Sequence, residues 1–153
     1  YRQSLVQVFG IIGFDAIPTL VEELDRNESD LVRVSCTQAL AAIAHNSPEE
    51  SLPTEALEGL YQAVSDSNPV VQLSTIGALS TMGSAVYEIL VQALDLDDLL
   101  VGVAAIDAIG SLGDPRGLKL LSELSANPTV DRYLRDAATS ALSRLEQVIK
   151  FNS

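Results

Sequence analysis

Val101–Gly117 reads VGVAAIDAIGSLGDPRG. Val101, Ala105, Ala108, Ile109 and Leu112 recur at the spacing of one helix face, and Asp114-Pro115 then breaks the pattern. The same stretch carries Gly102, Gly110 and Gly113. Glycine inside a helix costs about 1 kcal/mol relative to alanine. A helix this bare must gain something from its small residues.

The pattern repeats. Tyr1–Gly13 (YRQSLVQVFGIIG), Val32–Ala44 (VRVSCTQALAAIA), Val71–Gly83 (VQLSTIGALSTMG), Val101–Gly113 and Leu134–Glu146 (LRDAATSALSRLE) align, with starts 31, 39, 30 and 33 residues apart. Apolar or small residues hold offsets 0, 4, 7, 8 and 11 in these segments, a single helical stripe. Before each of the last four lies a second helical pattern: AIPTLVEEL, ALEGLYQAV, VYEILVQAL and GLKLLSEL. Asn68-Pro69, Asp114-Pro115 and Asn127-Pro128 each pair a capping residue with a proline at the expected first helical position. Ser47-Pro48-Glu49-Glu50 reads as a capping box, and Gly83 and Gly113 as left-handed helix ends.

Helix pairs at this period stack side by side into an α-solenoid. The second-helix pattern Val-Arg-x-x-Ala-x-x-Ala-Leu-x-x-Leu-Gly followed by Asp-Pro resembles the HEAT repeat, in the short form found in phycobilisome lyases. Arg33, Ala39, Leu40 and Ile43 carry the resemblance in one repeat, and Arg135, Ala138, Ala141 and Leu142 in the last. Between them, Ala105, Ala108, Ile109, Leu112, Gly113, Asp114 and Pro115 match most fully. The resemblance implies an all-α, right-handed solenoid of about four and a half repeats. Its expected bounds are 1–13 for the second helix of a cut repeat, then 14–50, 51–83, 84–113 and a C-terminal cap, 114–153. The whole reads as one domain cut from a longer chain, with Leu5, Val8, Phe9 and Ile12 needing a cover.

In the resembling family offset 1 is commonly Arg, pairing with an acid in a neighbouring turn. Here it is Arg2, Arg33, Gln72, Gly102 and Arg135, so the ladder is interrupted in the middle. Ala39, Ala105, Ala108, Ala138 and Ala141 are expected where neighbouring helices approach closely. Gly102 and Gly110 fall at offsets 1 and 9, off the stripe, and are expected to keep the floor of a groove low. In such solenoids the second helices line the concave side. Offsets 2 and 5 then put Val34, Leu73, Ile76, Val103 and Ile106 in a row, flanked by Gln38, Gln72, Ser80 and Asp107. An apolar row with a polar rim is the expected protein-binding groove, with Val34, Gln38, Leu73, Ile76, Val103, Ile106 and Asp107 as its residues.

Charge narrows the partners. The formal net charge is −12, and no Lys or Arg occurs between Val34 and Pro115. Such a surface repels phosphate backbones and anionic headgroups, so nucleic acid and membranes are excluded as expected partners. No apolar run approaches the ~18 residues of a membrane span. A single cysteine, Cys36, leaves no internal disulfide framework and fits a reducing compartment, cytoplasm or plastid stroma. Arg116, Lys119, Arg132, Arg135, Arg144 and Lys150 gather the positive charge at the C-terminal end, as a solubilising cap would, with an anion or acidic-partner site as the second reading.

Converging catalytic groups do not emerge. Cys36 sits at a core offset, and His45, nine residues on, reads as a loop residue just past a helix end. One His followed by Asn46 does not make the paired His-Glu motifs of iron-binding HEAT hydroxylases, and the acidic balance does not suit HEAT-like DNA glycosylases. Asp95-Leu96-Asp97-Asp98 lacks the glycine and distant glutamate of a calcium loop and reads as a turn that caps the next helix. Asp107 and Glu88 read as solvated or stack-spanning acids. The expected function is a non-catalytic scaffold or adaptor that binds another protein, with no catalytic, metal or cofactor residues. The resemblance keeps a second reading open: a bilin lyase or isomerase subunit, or a phycobiliprotein chaperone or degradation factor, with bilin as ligand. A lyase of that family attaches the chromophore to a partner's cysteine and needs no nucleophile of its own.

Overall fold

The computed structural model describes residues 13–48 and 50–153. Among them the chain is helical without strands. The helices run α1 (Ile17–Arg26), α2 (Asp30–Asn46), α3 (Thr54–Ala63), α4 (Pro69–Leu79), α5 (Tyr87–Ala93), α6 (Leu99–Leu112), α7 (Gly117–Ala126) and α8 (Arg132–Asn152). Short 3-10 turns, Gly13–Ala16 and Ser84–Val86, lead into α1 and α5. The even-numbered helices coincide with the repeated stripe and the odd-numbered ones with the pattern before it. Leu5, Val8, Phe9, Ile12 and Arg2 of the first segment, and Glu49 of the expected capping box, lie outside the described residues.

Two compact units form, Tyr1–Ala78 and Leu79–Ser153. In the first, α1 packs against both α2 and α3. Ile17, Leu20, Leu40, Ile43 and Leu60 are buried there. In the second, α6 packs against α5 and α8, and α7 against α8, around Leu90, Ile106, Ile109, Leu121, Leu134 and Leu145. Fully burying one such side chain contributes roughly 1.5–3 kcal/mol. The two fully buried hydroxyls are satisfied within their own helices: Thr37 Oγ1 donates to the Val34 carbonyl at 2.8 Å and Thr75 Oγ1 to that of Val71 at 2.7 Å. Neither leaves a stray polar atom in the core.

Helix starts follow local chemistry, though not always at the proline. Pro69 is the first residue of α4, and Asn68 Oδ1 accepts from the Val70 amide at 2.8 Å. Asp114-Pro115 and Asn127-Pro128 instead make turns ahead of their helices. Asp114 Oδ1 accepts from the Arg116 amide at 2.9 Å before α7, and Asn127 Oδ1 from that of Thr129 at 3.0 Å. The cap of α8 is Asp131, which accepts from the Tyr133 amide at 2.8 Å. All four side chains accept from the amide two residues on, so this contact accompanies a helix start at Asn68 and Asp131 and a separate turn at Asp114 and Asn127. No helix begins at Ser47, because the next one waits until Thr54. Asp98 caps α6 through Val101, as the turn reading expects, at 3.2 Å.

The bare helix has a packing reason. Gly102 and Gly110 are buried, which corrects their placement off the core stripe. A Cβ on Gly102 would lie 2.6 Å from the Asp95 carbonyl oxygen and 2.8 Å from Leu134 Cδ2. On Gly110 it would lie 2.7 Å from Ala141 Cβ and 2.9 Å from Ala141 Cα. Gly110 lets α8 lie against α6 almost backbone to backbone, and Gly102 makes room for the Asp95 carbonyl and the Leu134 side chain, so they lower no groove floor. Gly113 ends α6 in the left-handed conformation (φ 81°, ψ 10°). Gly83 also has positive φ (77°), but with ψ −173° it opens the Ser84–Val86 turn and is no helix cap.

Candidate functional site

The expected groove is largely core. Val34, Ile76 and Ile106 are buried, while Gln38, Leu73 and Val103 are half-buried. Asp107 is half-exposed and accepts a hydrogen bond from Arg144 Nη2 at 3.2 Å. The row therefore does not stand open as a face. A helix flanked on two sides buries far more than one stripe, and α6, apolar nearly all round, is such a helix.

Among the described residues, four large apolar side chains that reach solvent lie one residue before the stripe, while Tyr61 in α3 and Phe151 near the end of α8 are exposed elsewhere. Leu31, Val70, Leu100 and Tyr133 are each the second residue of an even-numbered helix, and their relative exposures are 62, 62, 72 and 70%. Leu99, the first residue of α6, and Leu96 in the turn before it are exposed as well. In the second unit, Gly102 meets Leu134 and Gly110 meets Ala141, so α6 and α8 run parallel and nearly in register. Leu100 and Tyr133 therefore share one end of that unit. In the first unit, Asp30 accepts a hydrogen bond from Asn68 Nδ2, which ties the start of α2 to the cap of α4 and brings Leu31 and Val70 to one edge. Carboxylates accompany three of the four positions: Asp30 beside Leu31, Asp95, Asp97 and Asp98 before Leu100, and Asp131 before Tyr133. Sequence reasoning missed this edge because it looked along the stripe, although an apolar residue one step before offset 0 was visible in four segments.

Three arginines differ in what they bind. Arg33, at offset 1, grips Asp66 with two bonds, Nε to Oδ2 at 2.9 Å and Nη2 to Oδ1 at 3.1 Å. It also donates to the Asn27 carbonyl at 2.8 Å and to Asp30 at 2.7 Å. The hydrogen bond to Asp66, above all, holds the Arg33 guanidinium above its ordinary pKa. This is the expected ladder contact, realised in the first unit. In the second unit Arg116 bonds Asp114 Oδ2 at 2.7 Å, Glu88 at 3.1 Å and the Ser84 carbonyl at 3.1 Å, and stacks 4.3 Å from the Tyr87 ring centre. Hydrogen bonding from Arg116 is the chief reason that the Asp114 carboxyl is drawn down to about 2. Arg135 differs: its Nε is buried with no hydrogen-bond partner. The basic C-terminal cluster is thus no uniform solubilising cap, since Arg116 and Arg144 bind acids of other helices.

The remaining candidates are quiet. Cys36 is buried, and burial foremost raises its thiol to about 11, so it stays protonated near neutral pH. His45 lies in the last turn of α2, not beyond it, and is exposed. Among the described residues no three His, Cys, Asp or Glu side chains converge as a metal site. A cleft of about 260 Å³ opens in the first unit beside Leu24, Asp25, Gly59 and Gln62, with the Arg33–Asp66 pair in its wall. Those two polar groups already satisfy each other.

Comparison with known proteins agrees with the repeat. The model for HEAT repeats matches residues 17–98 and 57–143. A phycocyanin operon protein Z of Pseudanabaena tenuis (strain PCC 7409) is 36% identical over 152 residues, 99% of this chain and 75% of that protein. The bilin biosynthesis protein CpeZ of Synechococcus sp. (strain WH8020) is 21% identical over 154 residues, 97% of this chain and 82% of the relative. The phycocyanobilin lyase subunit beta of Pseudanabaena tenuis is 29% identical over 107 residues, covering 70% of this chain and 35% of the lyase subunit.

Proposed function

The chain belongs to the HEAT-repeat family, in its phycobilisome-lyase-type branch, and from that premise we propose that it is a protein-binding accessory in the fitting of bilins to phycobiliproteins. It holds a partner polypeptide at the exposed starts of its even-numbered helices. The observation that carries this reading is the recurrence of a large exposed apolar residue at one repeat position, Leu31, Val70, Leu100 and Tyr133. Single exposed apolar residues are ordinary, but one that recurs at the same helix position within each unit, with carboxylates beside it, is what a binding surface requires. The two relatives named for bilin biosynthesis and for a lyase subunit supply the setting. Partners are proteins, and a phycobiliprotein subunit is the first to test. The acidic balance disfavours nucleic acid, and no described helix is long and apolar enough to cross a membrane.

Purified chain is immobilised and exposed to apo-phycocyanin α and β subunits and to a lyase subunit, with wild type compared against Leu100→Asp plus Tyr133→Asp. Binding by wild type, weakened about tenfold or more in the double variant at unchanged helicity, is expected, because interface anchors of this size each carry more than ~1 kcal/mol. Equal binding by both proteins, or none by wild type, overturns the reading. A bilin-handling lyase subunit is the second reading, favoured by the relatives' names. It requires that the chain shift the absorption of added phycocyanobilin, which a plain adaptor does not do.

A further inference from the structure

Three segments meet at Gly102. A Cβ there would lie 2.6 Å from the Asp95 carbonyl oxygen and 2.8 Å from Leu134 Cδ2, so the turn before α6 abuts the start of α8. Leu96 in that turn, Leu99 and Leu100 at the start of α6, and Tyr133 beside Leu134 are all exposed. Four exposed carboxylates stand among them: Asp95, Asp97, Asp98 and Asp131. Elsewhere in the second unit acids are neutralised. Residues 79–153 hold ten Asp and Glu. Glu88, Asp107, Asp114, Glu123 and Asp136 are each ion-paired. The other five are Glu146 and the four at this end, which form no ion pair among the described residues. Arg132, next to Asp131, faces Asp136 at 3.8 Å. The repeat explains the Asp95 turn. Asp95 accepts from the Asp97 amide at 2.9 Å, as Asp66 accepts from the Asn68 amide. Asp66 is held by Arg33, at offset 1 of the repeat before it. Offset 1 of the repeat before Asp95 is Gln72, which brings no charge. The edge of the first unit differs, because Asp30 beside Leu31 is bonded by both Arg33 and Asn68.

We propose that this end of the second unit docks a basic, amphipathic segment of a partner protein, one whose apolar side chains lie among lysines and arginines. The inference rests on the reading that the chain binds a protein at its helix starts, and names the charge which that protein presents. Apolar contact with Leu100 and Tyr133 gives the anchor, and the four carboxylates select its neighbours. An acidic segment of the same apolar content meets like charge and is rejected. Asp95, Asp98 and Asp131 each accept a backbone amide at Oδ1, which leaves Oδ2 for a donor from outside.

The test uses the full chain and a blocked peptide, KALKKLLKALKK, against its twin in which every Lys is Glu. Backbone amide resonances report where each peptide sits. With the basic peptide, saturable shifts confined to residues 95–101 and 131–134 are expected, with Kd on the order of 1 mM or below at about 50 mM salt. The acidic twin is expected to shift nothing. The variant Asp95→Asn plus Asp97→Asn plus Asp98→Asn plus Asp131→Asn keeps every capping oxygen and removes four charges. It should bind the basic peptide about tenfold more weakly, as should wild type at about 0.5 M salt. Asp97→Asn alone, which touches no cap, should lose about twofold, so the test survives if the fourfold variant fails to fold. Leu100→Ala plus Tyr133→Ala should also weaken binding about tenfold at unchanged charge, which a purely ionic contact would not. Equal binding of both peptides, shifts spread over acids such as Glu22, Glu55 and Glu58, or a folded fourfold variant that binds like wild type each overturn the proposal. The broader reading fails separately. A phycobiliprotein subunit that binds wild type and the fourfold variant alike, but not Leu100→Asp plus Tyr133→Asp, removes the charge preference and leaves the apolar edge standing.

Discussion

At Gly110 a single hydrogen atom decides whether two helices can meet. An added Cβ lies 2.7 Å from Ala141 Cβ and 2.9 Å from its Cα, so backbone and not a flexible side-chain end must move. Alanine gains about 1 kcal/mol of helix propensity but loses about 1–3 kcal/mol to overpacking. We predict that Gly110→Ala lowers unfolding free energy by up to about 2 kcal/mol in urea titration. Gly77 in α4 is the control, because a Cβ there meets nothing within 4 Å. Gly77→Ala should raise stability by up to about 1 kcal/mol in the same measurement. Cys36 makes the other residue-scale prediction. With its thiol raised to about 11 by burial, native protein at pH 7.5 should react with iodoacetamide at least about a hundredfold slower than protein unfolded in guanidinium. A fast native reaction would contradict the burial.

Among the elements, the turns before α6, α7 and α8 carry the legible chemistry and the misread boundaries alike. Asp98 and Asp131 each accept from an amide of the first helical turn. Asp98→Ala and Asp131→Ala should each cost about 1 kcal/mol, measured by thermal unfolding. The turn before α7 is held electrostatically as well. The Asp114 carboxyl sits at about 2 in the folded chain, below its ordinary 3.8. A depressed carboxyl stabilises the fold at pH above the ordinary value, and the contribution is lost as pH falls through the folded value. Wild type should therefore lose stability between about pH 4 and pH 2 by an amount on the order of 1–2 kcal/mol that Asp114→Asn lacks. Parallel pH profiles of the two proteins in urea would rule out this linkage. Neither proline dipeptide announced how far its helix would be displaced. The side chain reaches the amide two residues on at Asn68 as at Asp114 and Asn127, so that contact does not set the displacement, and spacing alone does not specify it.

For the whole molecule, charge and exposed apolar edges act against each other. The net charge of −12 keeps copies apart at neutral pH, while Leu31, Val70, Leu100 and Tyr133 offer surface that self-associates once repulsion fades. Light scattering should show a solubility minimum near the isoelectric point, about 4.2, and Leu100→Asp plus Tyr133→Asp should shrink the aggregates formed there. Unchanged aggregation in that variant would place the sticky surface elsewhere.

Period, stripe and punctuation in the sequence determined the helix order, the HEAT family and the burial of Ala105, Ala108, Ala138 and Ala141, because core-facing spacing is written locally in each helix. Tertiary packing decided the rest. Whether Ile106 or Leu100 meets solvent depends on how many neighbours close around α6, and no property of α6 alone counts them. Whether Arg135 finds an acid as Arg33 does depends on what lies against it, and that is set by the neighbouring turn, not by the arginine.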